Sequence, residues 1–314
     1  MSAPADRPQG VRIGLSAVVI ALHDRNAVAL TVQSDSGEPA LPFGPFDPAR
    51  DRTFELALRR FVTDQTGFPL GFVEQLYTFG DLGRDSPRAT PGPERTREVS
   101  VGYLALTPDA SPPGPDARWT DLFAAFPWED RRAGPSPVVA AIARGLADWA
   151  GDDERRKARA DALFALSPGR RWNEERVLER YELLYEAGLT TEAARDLGVP
   201  PLGETFGLAM ASDHRRILAT ALGRLRSKLK YRPVLFDLMP SRFTLSELQS
   251  AAEAVAGLTL HKQNFRRGVE RTGLVSPTGQ TTTATGGRPA EMFRFSGGDP
   301  LGGPAEGLAL PALR

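Results

Sequence analysis

The pairing of Thr244-Leu-Ser-Glu247 with the run Thr259-Leu-His-Lys-Gln-Asn-Phe-Arg-Arg-Gly-Val-Glu-Arg271 constrains this chain more than any other feature. The first is a capping-box pattern: a Thr hydroxyl and a Glu three residues later satisfy orphan N–H groups at a helix start. That helix is expected to end near Gly257, and a second begins after a short turn. In the second, Phe265 and Val269 sit four apart and face a core. Lys262 and Arg266 fall on one exposed line, and Gln263, Arg267 and Arg271 on another. The segment Gly287-Arg-Pro-Ala-Glu-Met-Phe293 then reads as a wing-like hairpin. Two tightly joined helices, the second basic, match helix-turn-helix geometry. Amides and guanidiniums on such a helix reach both base edges and phosphates.

Composition supports a basic module inside a neutral chain. The 314 residues carry 39 Lys plus Arg and 39 Asp plus Glu. Residues 213–294 hold 14 Lys plus Arg against 6 Asp plus Glu, a local +8, so the remainder carries −8. Such asymmetry is a hint of a nucleic-acid-binding unit. The absence of cysteine excludes disulfides, thiolate nucleophiles and Cys-ligated zinc, and His23, His214 and His261 lie too far apart to suggest a His-rich metal site. No apolar signal stretch or membrane span is evident, so a cytoplasmic soluble protein is expected.

Five units are expected along the chain. Residues 1–10 read as a loose tail. Residues 11–130 read as a mixed β/α domain: Val11–Leu22 and Ala27–Gln33 form a hairpin, Leu41–Pro48 is a loop, Phe54–Thr66 is a helix stopped by Gly67, and strands follow at Phe72–Phe79 and Val99–Leu106. Residues 131–210 carry helical patterns at Val138–Ala150, Asp153–Ala165, Asn173–Ala187 and Thr190–Leu197. Residues 211–296 hold the amphipathic helix Asp213–Lys230, a short helix between Pro233 and Pro240, and the helix pair with its wing. A Gly/Pro-rich tail, 297–314, is expected to be disordered.

The helix at Phe54–Thr66 invites comparison with the Nudix pattern: Gly, five residues, Glu, seven residues, then Arg-Glu-apolar-x-Glu-Glu-x-Gly-apolar. Arg60 and Gly67 take their positions, with Val62 and Phe68 on the apolar ones. Phe46 replaces the first Gly, Arg52 the first Glu and Phe61 the Glu after the arginine, while Asp64 and Gln65 stand where consecutive acids belong. Nudix hydrolysis needs several carboxylates on one helix face to hold Mg²⁺ against a diphosphate. This helix lacks them, so the expectation is a Nudix-like fold without the chemistry. A Nudix-type pyrophosphohydrolase with an accessory C-terminal module is the alternative.

The chain resembles Nudix-related transcriptional repressors of NAD metabolism (NrtR-type). The residues that carry the resemblance are Gln75-Leu-Tyr-Thr-Phe-Gly-Asp81 with Arg84, Val99–Leu106, Lys228-Leu-Lys-Tyr231, Phe243–Leu248, Asn264-Phe-Arg-Arg267 and Gly287-Arg-Pro-Ala290. The loop with Gly44-Pro-Phe-Asp47 and the helical block at 135–210 are more similar to the alphaproteobacterial regulator branch (NadQ-type). The resemblance implies an α+β chain: a Nudix-like α/β/α sandwich, a helical insertion and a C-terminal winged helix. It implies a homodimer that binds a palindromic double-stranded DNA operator and represses NAD biosynthesis genes. An adenine nucleotide (ADP-ribose, ATP or NAD) is the implied effector, with no cofactor or metal and no catalytic residue. Candidate DNA contacts are Lys262, Gln263, Asn264, Arg266, Arg267, Arg271, Arg288 at the wing tip, Thr244, Lys228 and Lys230. Candidate effector contacts are Arg84, Arg88, Arg97, Phe46 and Arg60, because guanidinium forks suit phosphate and aromatic rings suit a base.

Overall fold

A two-residue turn joins the first two strands of the sheet. In the computed structural model, which describes residues 10–80, 97–201, 203–230, 232–283 and 289–297, β1 (Val11–His23) passes into β2 (Asn26–Gln33) through Asp24 and Arg25. Both have positive φ, 45° and 65°. Consecutive left-handed residues make the type I′ turn whose twist matches that of paired strands. The short strands β3 (Pro39–Ala40) and β4 (Phe43–Pro45) lead to α1 (Phe54–Thr66). Then β5 (Phe72–Phe79), β6 (Arg97–Leu106) and β7 (Ala117–Asp121) complete a seven-stranded sheet.

The sheet order is β3-β2-β1-β6-β5, with β4 beside β1 and β7 beside β2. β1 and β6 run parallel over ten residue pairs, Val11 with Arg97 through Ile20 with Leu106, and the other pairings are antiparallel. Ser16 and Ser100 satisfy each other inside this central pair, their hydroxyls 2.9 Å apart. The expected loop at Leu41–Pro48 needs correction: Phe43–Pro45 pairs with Gly14–Ser16. Prolines tolerate a strand only where their missing N–H is not needed, and Pro45 sits at the end of this short one.

Side-chain alternation divides the core in two. Leu15, Ala17 and Val19 of β1 and Val101, Tyr103 and Ala105 of β6 face α1, which answers with Ala57, Leu58, Phe61 and Val62. Val18 and Ile20 of β1 and Leu104 and Leu106 of β6 face the other way. Each buried Val, Leu, Ile or Phe among them stabilises the fold by roughly 1.5–3 kcal/mol before conformational entropy is counted, and each Ala by less.

The second face is covered by helices: α2 (Leu122–Ala125), a 3₁₀ turn at Pro127–Glu129, α3 (Val138–Ala150), α4 (Glu154–Phe164), α5 (Val177–Glu186), α6 (Thr191–Leu197) and α7 (His214–Leu229). The third of the expected helices in this block starts four residues late, because Asn173 turns the chain by accepting the Glu175 N–H on Oδ1. The helix α7, expected with the C-terminal unit, packs on β5, β1 and α5 and also on a 3₁₀ turn at Val234–Leu238. Gly102 on β6 permits this approach: an added Cβ would lie 3.0 Å from the Phe79 ring and 3.5 Å from Ile217.

The C-terminal unit begins with that 3₁₀ turn and continues through α8 (Leu245–Ala256), α9 (Lys262–Thr272) and the hairpin β8 (Val275–Thr282) and β9 (Ala290–Phe295). Phe243, ahead of α8, bridges Phe293 of β9 through a single antiparallel pair. This is the helix-turn-helix with a wing that the residue pattern predicted. Its core of Leu248, Val255, Phe265 and Val269 is continuous with the helical face of the sheet. No helix among the described residues is long and apolar enough to cross a membrane.

Candidate nucleic-acid interface and the Nudix-like helix

The start of α8 is built as its residues dictate. The Thr244 hydroxyl accepts the Glu247 N–H at 3.1 Å, and the Glu247 carboxylate accepts the Thr244 N–H at 2.6 Å. Gly257 then ends the helix at φ 69°. An added Cβ there would meet the Glu129 carbonyl oxygen at 2.2 Å and the Arg226 guanidinium at 2.8 Å. The turn is therefore closed both by backbone conformation and by a neighbour pressed against it.

In α9, Phe265 and Val269 point inward, whereas Lys262, Gln263, Asn264, Arg266, Arg267 and Arg271 are exposed. None of its four cations has a carboxylate within ion-pair distance among the described residues. The helix thus presents two charged lines. Lys262 and Arg266 line a cleft of about 1000 Å³ shared with the first turn of α8 and with β9. Asn264, Arg267 and Arg271 line a shallower depression on the other side.

Other expected DNA contacts are placed differently. Thr244 is buried, its hydroxyl occupied by the cap. Lys228 is buried too, with its ammonium on the Glu74 carboxylate of β5, so its charge ties α7 to the sheet rather than facing solvent. Lys230 is half-exposed but held between Glu174, at 2.8 Å, and Glu175. Spacing at a helix C-terminus could not distinguish these fates, because the three acids come from remote segments. Arg288 lies outside the described residues.

The former metal face of α1 is occupied by structural contacts. Phe61 packs over Gly44 of β4, 3.1 Å from where a Cβ would be, which fills the position of a Nudix carboxylate with a ring. Gln65 exchanges two hydrogen bonds with the Phe43 backbone, receiving its N–H at 3.2 Å and donating to its carbonyl at 2.6 Å. Arg60 donates to Asp51 at 2.6 Å. The Asp47 N–H, ahead of the Arg60 guanidinium, holds the Asp51 carboxyl below its usual range. Phe46 is half-buried with its ring edge-on to Phe54, centroids 4.6 Å apart. Arg97 is exposed and donates to the Gly80 carbonyl at 2.5 Å. Arg84 and Arg88 fall outside the described residues. Among those described, no cluster of three or more His, Asp or Glu has metal-holding geometry.

Two features that spacing could not reveal join the halves. Glu129 is wholly buried: Arg180 Nε and Nη2 donate to its two oxygens at 2.5 and 3.0 Å, and Arg226 donates to the second. Arg226 Nε also donates to the Val255 carbonyl of α8 at 2.9 Å. Burial pushes the Glu129 carboxyl up, but the two guanidiniums outweigh it and leave it below the ordinary value. The second feature is Arg132, which donates to the Arg25 carbonyl and to Asn26 Oδ1 in the β1–β2 turn. Its own carbonyl accepts the Thr259 hydroxyl at 2.6 Å, beside the Arg131 N–H bond to the Gly257 carbonyl at 2.7 Å.

Comparison with known proteins identifies the C-terminal unit. Residues 235–295 match the NrtR DNA-binding winged helix domain family. The "ADPR responsive transcriptional repressor NtrR" of Acinetobacter baylyi is 40% identical over 95 residues, 30% of this chain. The matched stretch spans 38% of that relative's length. The crystal structure of Shewanella oneidensis NrtR complexed with a 27mer DNA has a TM-score of 0.54 at 22% identity, covering 90% of this chain and 93% of that one. A MutT/nudix family protein from Enterococcus faecalis also reaches 0.54, at 15% identity over 94% and 89%. Residues 235–295 are thus a winged-helix domain of the NrtR type, carried on an α+β chain with a Nudix-like sheet domain.

Proposed function

We propose that this protein is a DNA-binding transcriptional repressor of the NrtR type, whose Nudix-like domain senses ADP-ribose and does not turn it over. One observation carries the DNA half: α9 exposes Lys262, Arg266, Arg267 and Arg271 with no carboxylate within ion-pair distance among the described residues, inside a domain matched by the NrtR winged-helix family. Gln263, Asn264 and Arg267 suit base edges, each bidentate pair contributing about 1–3 kcal/mol of discrimination. Lys262, Arg266 and Arg288 suit phosphates by their charge. Two copies would place their recognition helices one helical turn apart on a palindromic operator.

The sensing half is supported by the ADP-ribose response of the Acinetobacter baylyi relative and by the replacement of metal-holding acids with Phe61 and Gln65. Arg84, Arg88 and Arg97 would supply guanidinium forks for a diphosphate, with Arg60 and Phe46 at the rim. A nucleotide acts only through unequal affinity for two arrangements of the dimer. NAD biosynthesis genes are the proposed targets.

Fluorescence anisotropy with a duplex from the chain's own promoter region tests both halves. ADP-ribose is expected to weaken operator binding, with ATP and NAD run alongside. Absence of duplex binding at low salt overturns the DNA half. Binding that none of the three nucleotides alters overturns the sensing half, and Mg²⁺-dependent cleavage of ADP-ribose would return the chain to the hydrolases.

A further inference from the structure

We propose that the β1–β2 turn of the sheet domain is a DNA-backbone contact in its own right, with Arg25 the residue that meets phosphate. This rests on the DNA-binding reading of α9 and extends it to a part of the chain outside the winged helix.

Three observations converge on this turn. The first is location. Arg25 lines the same cleft of about 1000 Å³ as Lys262 and Arg266, with the first turn of α8 and the start of β9 on its other walls. Three cations from two domains therefore border one concave surface. The carboxylates there are Glu247, Glu270 and Glu291. Glu247 is committed to the cap of α8, and Glu270 comes one helical turn after Arg266 on the same helix. A sugar-phosphate strand carries one negative charge per nucleotide and fits a cleft lined by cations from both the sheet and α9.

The second observation is the turn itself. Arg25 has φ 65°, a conformation that Gly, Asn or Asp adopts with less strain. A long cation occupies this strained position, exposed and without an ion-pair partner among the described residues. The tight turn between two long strands gives it a stiff base.

The third is the link to the helix-turn-helix. Arg132 donates to the Arg25 carbonyl at 3.1 Å and to Asn26 Oδ1 at 3.0 Å, while Asp130 orients its guanidinium at 2.8 and 2.9 Å. The Arg132 carbonyl takes the hydroxyl of Thr259, just ahead of the His261 cap of α9. Arg132 is thus a positioning residue that fixes Arg25 relative to Lys262 and Arg266. A ligand that shifts the sheet would move this contact directly, without passing through the recognition helix.

The test uses the full chain and two duplexes, one from its own promoter region and one unrelated, with affinity measured between about 50 and 200 mM KCl. Arg25→Asn keeps a residue that tolerates the left-handed conformation, so its melting temperature should match wild type. The expected result is a fall of about 0.9 per protomer in the slope of log affinity against log salt, on both duplexes, because phosphate contacts carry no sequence information. Arg25→Lys should restore the slope. Arg267→Ala serves as the control in the recognition helix. If Arg25→Asn keeps the wild-type slope while Arg267→Ala weakens binding, the turn is not a contact and the winged-helix reading stands. If wild-type protein binds neither duplex, both readings fail.

Discussion

Glu129 and Arg226 form an ion pair from which water is wholly excluded, tying the 3₁₀ turn after α2 to the last turns of α7. Arg180 closes on the same carboxylate from α5. Removing one member of such a group leaves the others charged and unpaired, at a cost of about 3–5 kcal/mol. Glu129→Gln should therefore lower the urea midpoint sharply. The same variant with Arg226→Met should recover part of the loss, since fewer buried charges remain uncompensated.

The same group sets an acid limit. The Glu129 carboxyl titrates below its unfolded value of 4.5 in the folded chain. A depressed carboxylate contributes stability that is fully present above the unfolded pKa and lost as pH falls through the folded one. Stability followed by urea titration should hold from neutral pH to about pH 5 and fall below 4.5. Glu129→Gln should flatten that acid limb relative to wild type.

Gly257 joins the helix-turn-helix to the rest of the chain under two constraints, positive φ and the Glu129 carbonyl. Gly257→Ala should destabilise by more than about 1 kcal/mol. Because the clash separates α8 from the 3₁₀ turn at Glu129, hydrogen exchange should rise first in residues 245–272.

Thr244 separates a structural from a DNA-contacting role. Thr244→Ala should lower stability by about 1 kcal/mol through loss of the cap, measured by thermal denaturation, while Thr244→Ser retains it. The salt dependence of duplex binding should be the same in both. A changed slope in Thr244→Ala would restore this residue to the interface.

Recognition-helix residues should divide by chemistry. Lys262→Ala should weaken binding to any duplex and reduce the salt slope by about 1. Arg267→Ala should instead cost about 1–3 kcal/mol on the operator and narrow the gap between operator and unrelated DNA. Anisotropy titrations on both duplexes distinguish the two patterns.

Much of the winged helix was legible because its signals are local. Thr244 with Glu247, Phe265 with Val269 and the stop at Gly257 involve residues a few positions apart, and each appears as the pattern predicts. The four long strands were legible for the same reason, whereas the short strands Pro39–Ala40, Phe43–Pro45 and Ala117–Asp121 were not, since each is defined by its pairing with β2 or β1 rather than by a pattern of its own. The lysines at the end of α7 were not, since nothing near them announces Glu74 or Glu174.

The chain alone determined that a capped helix pair with one basic exposed face would form, and that the helix at Phe54–Thr66 would lack a metal-holding row of acids. Propensity, capping and periodicity act over a turn or two, so a reading of neighbours suffices. Tertiary structure decided which charges are spent indoors: Lys228 on a residue 154 positions away, Arg226 on one 97 away. It also decided that Arg25 shares a cleft with Lys262 and Arg266. Contacts across such separations depend on how the sheet and helices close on one another, and no local pattern encodes that closure.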